Sequence, residues 1–340
     1  MINDRYVSPV GLSTEPYNAE TDIPTTSELE ATLHERGVNV SIGETLKGGT
    51  VSQVYAANED GRPVVVKHTG DVIDTDQTVY FIPRESHYVD TKMLKFLAAN
   101  GSIRVPELLH DFADVPVSVM EDLRASGFTL LNDLLVAGKF PTNAAANIGT
   151  DIAEMMLALA SHEEFETVLS GRQNYYERGL ELRHTYPNDQ AWYTTLEKRF
   201  TTANQQLIAV DTHPKNTFID NEGNAAWIDF GFSAWADRDF ALPNGLAHIA
   251  VYALTGHIQA DEAKAFIETA VGAYRKLLPI EDEVFCTYFA AEVLHRWAGK
   301  WIVGVDNAQQ KLKLLQFGMK VFDKEMFTLD SLGSLLVESA

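Results

Sequence analysis

The sequence predicts an α+β chain in two unequal parts, a β-rich N-terminal part with one main helix followed by a larger helical part. Three observations carry that reading. Residues 40–68, VSIGETLKGGTVSQVYAANEDGRPVVVKH, are rich in β-branched side chains and punctuated by glycine turns, the pattern of antiparallel strands. Residues 83–99 place Tyr88, Leu94 and Leu97 at roughly helical spacing and stop at Asn100-Gly101. Beyond Leu123 apolar stripes of helical period dominate, and Ile148, Ile152, Met155, Met156 and Leu159 mark the clearest of them. A chain of 340 residues with 45% hydrophobic content has apolar material for one large core or two modest ones.

In chain order, residues 1–24 are polar, include Pro9, Pro16 and Pro24, and read as an irregular leader. A short helix follows, with Ser27 and Glu30 at capping-box spacing and Gly37 as its terminator, so that leader and helix make up residues 1–38. Residues 39–123 form the second unit, containing the Glu59-Asp60-Gly61 turn, the main helix and the apolar strand VSVMEDL at 117–123. Residues 124–340 form the third, with further helices expected over 189–208, 240–256, 260–277, 282–304 and 307–325. The chain shows no internal repeat and no low-complexity tract.

Charge and composition exclude several function classes. Forty-eight acidic against 27 basic residues give a formal charge of −21, which repels nucleic acid and anionic lipid and favours cationic partners, besides keeping the surface solvated. No run approaches the roughly 18 apolar residues of a membrane span, and the start, Met-Ile-Asn-Asp-Arg, has no signal-like apolar segment. The expectation is a cytoplasmic protein with neither nucleic-acid nor membrane partner. The only cysteine, Cys286, stands in an apolar helical stretch and reads as a buried inert thiol.

The chemistry concentrates in residues 208–231, IAVDTHPKNTFIDNEGNAAWIDFG. Asp211 and, five positions on, Asn216 lie in a polar loop; a β-like run, the turn Asn221-Glu222-Gly223-Asn224 and a second run lead to Asp229-Phe230-Gly231. A hairpin between two polar loops brings both to one end of a compact unit, so Asp211, Asn216 and Asp229 are expected to converge. Phosphoryl transfer needs such a group: a carboxylate to accept or orient the acceptor hydroxyl, and a carboxamide and second carboxylate to hold magnesium against the nucleotide phosphates.

These residues resemble the aminoglycoside phosphotransferase and choline kinase-like branch of the protein-kinase-like superfamily. VDTHPKN is close to that branch's Asp-x-His-Pro-x-Asn loop, and WIDFG follows at a compatible distance. The resemblance covers roughly residues 40–260 and implies a bilobal fold, ATP and Mg2+ as cofactors, Asp211 as catalytic base, and Asn216 and Asp229 as magnesium ligands. It also gives roles to the N-terminal half. Gly48, Gly49, Thr50 and Ser52 in LKGGTVSQ form the glycine turn over the phosphates, looser than the Gly-x-Gly-x-x-Gly of protein kinases. Lys67, at the end of a buried-looking strand, holds the α- and β-phosphates and needs a carboxylate partner; Glu85 on the following helix is the expected one, with Asp90 and Glu107 as substitutes. Met120, Glu121 and Leu123 fall in the hinge, whose backbone N–H and C=O groups face adenine.

Two departures matter. The branch usually has a histidine two positions before the catalytic aspartate, where this chain has Ala209, and Lys215 replaces a small residue. A non-catalytic nucleotide-binding pseudokinase is therefore the rival to an active small-molecule kinase. Protein substrates are disfavoured because no Ala-Pro-Glu-type segment follows Asp-Phe-Gly. The expected partner is a small-molecule hydroxyl acceptor (aminoglycoside-like, sugar or amino alcohol), with the acidic balance favouring a cationic one. Three further features are open between structural and functional roles. Asp237 and Asp239 precede a helix, and Asp239 at its start suits capping or contact with substrate; Trp235 suits core packing or the acceptor pocket; Arg296 and Lys300 share a helix face that suits a phosphate or carboxylate, or simply solvent. The scattered histidines predict no structural metal.

Overall fold

The computed structural model describes residues 24–46, 52–69, 72–75, 78–81, 85–160, 191–298, 305, 307–323 and 328–340. The β-rich part is a five-stranded antiparallel sheet in the order β1-β2-β3-β7-β6, made of β1 (Val40–Thr45), β2 (Ser52–Glu59), β3 (Arg62–Thr69), β6 (Leu108–Phe112) and β7 (Val117–Glu121). The expected turn between β2 and β3 forms with Asp60 and Gly61 both at positive φ, 50° and 91°, and the Asn58 side chain accepts the Gly61 N–H at 2.7 Å. A separate hairpin pairs β4 (Val72–Thr75) with β5 (Thr78–Phe81).

Helix α1 (Thr26–Glu35) covers one face of the sheet, where Leu29 and Leu33 join Tyr55, Val64, Val66 and Val119 in a small apolar cluster. Its capping box differs from the predicted one. Thr25 and Glu28 make it, because Thr25, directly after Pro24, is extended and offers its hydroxyl to the Glu28 N–H. Glu30, expected to close the box, instead accepts the Ile42 N–H and ties the helix to β1. Gly37 ends the segment at φ 82°, as predicted. On the other face lies α2 (Glu85–Asn100), whose Val89, Met93 and Leu97 enter the main core. Residues 1–23 of the expected leader lie outside the described residues.

The remainder is helical around a small β framework. Its helices are α3 (Leu131–Val136), α4 (Ala145–Leu159), α5 (Ala191–Thr202), α6 (Ala241–Leu254), α7 (Ala260–Arg275), α8 (Asp282–Ala298), α9 (Ala308–Asp323) and α10 (Leu329–Ser339). The strands are β8 (Thr129–Leu130), β9 (Gln205–Ile208), β10 (Thr217–Ile219), β11 (Ala225–Trp227) and β12 (Ala234–Asp237). The expected helix over 189–208 is therefore corrected: it ends at Thr202, Asn204 turns the chain at φ 40°, and β9 pairs antiparallel with β12. Every residue of α6 is buried, which makes it the central helix of this part. Helices α4 and α7 touch at Gly149, where a Cβ would overlap the Ala270 carbonyl.

Candidate active site

The β10–β11 hairpin pairs Thr217 with Trp227 and Ile219 with Ala225, and its turn closes on Asp220, whose Oδ1 accepts from Glu222 N at 2.9 Å and Asn224 N at 2.8 Å. One step beyond the paired residues, the Ile228 N–H donates to the Asn216 carbonyl at 3.0 Å. That clip draws the two polar loops together at one end of the hairpin, as the sequence predicts. Asn216 is buried, and its Nδ2 donates to the Asp211 carbonyl at 3.1 Å, which leaves its Oδ1 as an oxygen donor. The Asp211 loop is anchored from below by Thr212, which donates to the Ala241 carbonyl of α6 at 2.6 Å and abuts Gly245 one turn on.

Lys67 enters from β3. Its Nζ lies 2.7 Å from Asp229 Oδ1 and 2.8 Å from Asp90 Oδ2, and its side chain is only 8% exposed. The helix partner is thus Asp90, the predicted substitute, not Glu85, which opens α2 and whose side chain lies outside the described residues. Asp90 suits the position because it is two-faced: its second oxygen accepts the Phe230 N–H at 2.7 Å, so one carboxylate ties α2 to both Lys67 and the Asp229 loop. Asp229 itself adopts φ 63°, a left-handed conformation that costs a non-glycine residue about 1 kcal/mol or more and persists only where its surroundings enforce it. The Lys67 ion pair and the Asp90 clamp on the next residue supply that enforcement.

Burial followed by the neighbouring Asp229 charge pushes the Asp211 carboxyl up to about 7, against the opposing pull of Arg296. Burial also acts on Asp229, yet the Lys67 ammonium outweighs it and holds this carboxylate below its ordinary range. The same pairing holds the Lys67 pKa above its usual value in spite of burial. Two neighbouring acids are thereby driven apart, one toward proton exchange near neutrality and one toward permanent charge. The His213 imidazole is driven down to about 3 by burial and Arg296, so it is neutral.

Of the other expected site residues, Gly48, Gly49 and Thr50 lie outside the described residues. Ser52 opens β2 with its hydroxyl 3.4 Å from that of Thr69. Met120 and Leu123 are buried and Glu121 ends β7. In the segment expected as the hinge, the Glu121 N–H donates to the Glu107 carbonyl and the Leu123 carbonyl accepts from Ser126 and Phe128. Ala209 packs into the apolar core. Asp237 caps the 3-10 turn before α6, and Asp239, expected as the cap, instead accepts from Arg199 at 3.0 Å and Asn204 at 2.9 Å. Trp235 packs against the core, and Cys286 is buried with its thiol raised to about 12. Lys300 lies outside the described residues.

Asn216 Oδ1 and the Asp229 carboxylate, on the two loops that the Ile228–Asn216 hydrogen bond joins, are hard oxygen donors of the kind that suits a magnesium ion keeping part of its water shell. Among the described residues no three His, Cys, Asp or Glu side chains converge as metal ligands. Among them, too, no helix is long and apolar enough to cross a membrane. A surface cavity of about 570 Å³ beside α1, lined by Ser27, Glu30, His34 and Asp60 among others, contains none of these site residues.

No protein-family model matches the sequence, and no functionally curated protein does. Solved structures do. Amicoumacin kinase hAmiN, solved with AMP-PNP, Ca2+ and Ami, superposes with a TM-score of 0.58 at 14% identity over 89% of this chain and 96% of its own. The protein-kinase-like fold is shared. Choline kinase from Cryptosporidium parvum Iowa II has the kinase-like arrangement at a TM-score of 0.52, with 11% identity over 88% of this chain and 92% of that one. An aminoglycoside phosphotransferase from Alicyclobacillus acidocaldarius matches at 0.50, with 12% identity over 96% and 97%. At such identities the likeness is one of fold, with an antiparallel N-terminal sheet and a helical C-terminal region in common.

Proposed function

We propose that this chain is a phosphotransferase that moves the γ-phosphoryl group of ATP to a hydroxyl of a small molecule, with magnesium. The observation that carries the proposal is the meeting of Asp211, Asn216 and Asp229 opposite Lys67, on loops that only the hairpin and the sheet bring together. The kinase-like fold shared with small-molecule kinases supports it.

Asp211 accepts or orients the acceptor hydroxyl. Its carboxyl, raised to about 7, takes a proton more readily than an ordinary aspartate. Asn216 and Asp229 would hold the metal, which would supply positive charge to offset that of the phosphates. Lys67 turns from Asp229 toward the α- and β-phosphates while Asp90 keeps it in place. The glycine turn at Gly48 and Gly49, with Thr50 and Ser52, covers the phosphates, and the strand end at Met120, Glu121 and Leu123 borders the base. In this mechanism the protein contributes position and fixed charge and forms no covalent intermediate.

The test compares ATP consumption in the presence of a panel of hydroxylated metabolites by the wild type and by Asp211→Ala. Acceptor-dependent turnover is expected in the wild type and lost in the variant, with Mg-ATP binding retained. Equal turnover by both would remove Asp211 from the chemistry. Mg-ATP binding without turnover in the wild type would favour the pseudokinase reading that Ala209 motivates.

A further inference from the structure

The acceptor side of Asp211 is built from α6 and α8. Gly245 of α6 lies against Thr212, so Asn244 and, four residues on, His248 flank the contact between the helix and the Asp211 loop. The His248 ring lies 5.1 Å from the His213 ring. From α8 comes Arg296, 8% exposed, whose Nη2 donates to Glu292 at 3.2 Å and whose charge acts on Asp211, His213, Lys215 and His248 alike.

Two properties of this wall are unusual for a packed interior. Asn244 is 1% exposed, yet neither atom of its carboxamide has a hydrogen-bond partner among the described residues; the same holds for His248 Nε2 and His213 Nδ1. Buried polar atoms are paired in native proteins, and leaving one unpaired is costly, so a cluster of them marks a place where a ligand supplies the partners. The cluster is also rich in donors. A carboxamide NH2, two imidazoles, the Arg296 guanidinium and the Lys215 ammonium lie near one another beside the Asp211 loop, while Glu292 is already bonded to Arg296. Such a wall offers little to an ammonium group and much to an oxyanion, which a guanidinium binds with a planar fork.

Resting on the reading that Asp211 faces the acceptor hydroxyl, we propose that the acceptor carries an oxyanion, a carboxylate or a phosphate, held between Arg296 of α8 and the Asn244–His248 edge of α6. This reverses the expectation drawn from net charge. The acidic excess of the whole chain says little about a wall whose own charges are Arg296 and Lys215 set against Asp211 and Glu292.

The test uses the full chain saturated with AMP-PNP and magnesium, titrated calorimetrically with glycerate, glycerol 3-phosphate, glycerol and choline. At least one of the two anions is expected to bind about ten-fold or more tightly than glycerol and choline, and which one binds separates a carboxylate from a phosphate acceptor. Arg296→Gln is expected to weaken that anion by about ten-fold or more without changing AMP-PNP affinity, and Arg296→Lys, which keeps the charge and loses the fork, by less. Choline or glycerol binding as tightly as both anions, neither anion binding, or Arg296→Gln binding the anion like the wild type would each overturn the proposal. The probe ranking on the wild type decides it even where a variant fails to fold. Anion binding without phosphoryl transfer from ATP keeps this inference and sinks the phosphotransferase reading; phosphorylation of choline without anion binding does the reverse.

Discussion

Asp90→Asn is the sharpest probe of how the two halves of the site are joined. The substitution keeps the shape of the side chain and an oxygen for the Phe230 N–H, and removes the charge that faces Lys67. At 2.8 Å, and at the effective dielectric of about 20 that suits protein sites, the pair attracts by about 6 kcal/mol before desolvation is counted. Breaking a buried pair from one side costs about 3–5 kcal/mol; Asp229 still shares the lysine, which puts the loss toward the lower figure. With an unfolding entropy near 0.7 kcal/mol/K for a chain of this length, a 3 kcal/mol loss lowers Tm by about 4 °C. Lys67 is then left to Asp229 alone, the carboxylate proposed for the metal, so AMP-PNP and magnesium should bind about ten-fold more weakly by calorimetry. Asp90→Ala also strands the Phe230 N–H and should cost a further 1–3 kcal/mol or so. Wild-type Tm and wild-type nucleotide affinity in Asp90→Asn would refute the idea that this carboxylate sets the lysine and the Asp229 loop.

Two further perturbations reach other parts of the account. A Cβ at Gly245 would stand 2.6 Å from the Thr212 carbonyl, so Gly245→Ala must push the Asp211 loop by a few tenths of an ångström or more, and steady-state kinetics should show kcat down about 10- to 100-fold with nucleotide affinity kept, although helix propensity alone favours alanine by about 1 kcal/mol. Asp151 on α4 accepts from Trp227 Nε1 at 3.1 Å, and burial, with Glu154 nearby, raises its carboxyl from 3.8 to about 7. A raised acid favours the fold most below its unfolded pKa and loses that contribution as pH climbs through the folded one. Asp151→Asn keeps the acceptor and should therefore flatten the decline of stability between pH 4 and 7, leaving the variant more stable at pH 8 by on the order of 2–4 kcal/mol in denaturant melts.

The parts of the fold that sequence makes legible are those fixed by local chemistry. The glycine turn at Gly61, the helix stop at Asn100-Gly101 and the hairpin turn at Asp220–Asn224 each follow from side chains within a few residues, and all form where expected. The joining of the Asp211–Asn216 loop to the Asp229 loop is likewise readable, because a short hairpin leaves its two flanking loops nowhere else to go. Long-range choices were not readable. Thr25 outcompeted Ser27 as the cap because Glu30 was needed at Ile42, a contact twelve residues away. The strand at 205–208 depended on a partner strand at 234–237. Asp90 was less visible than Glu85 as the partner of Lys67, although a carboxylate beside the buried stripe of Val89 and Met93 is a signal that an ion pair must form there. Asn244 and His248 escaped notice for a similar reason: on an apolar helix they look like isolated polar residues until the packing shows them side by side at the Asp211 loop.

The most direct measurement of the central claim is electron paramagnetic resonance of Mn2+ added to the full chain with and without AMP-PNP. A nucleotide-dependent bound Mn2+ is expected in the wild type, lost in Asp229→Asn and weakened in Asn216→Ala. Mn2+ bound equally well by Asp229→Asn, or no nucleotide-dependent Mn2+ in the wild type, would contradict the site.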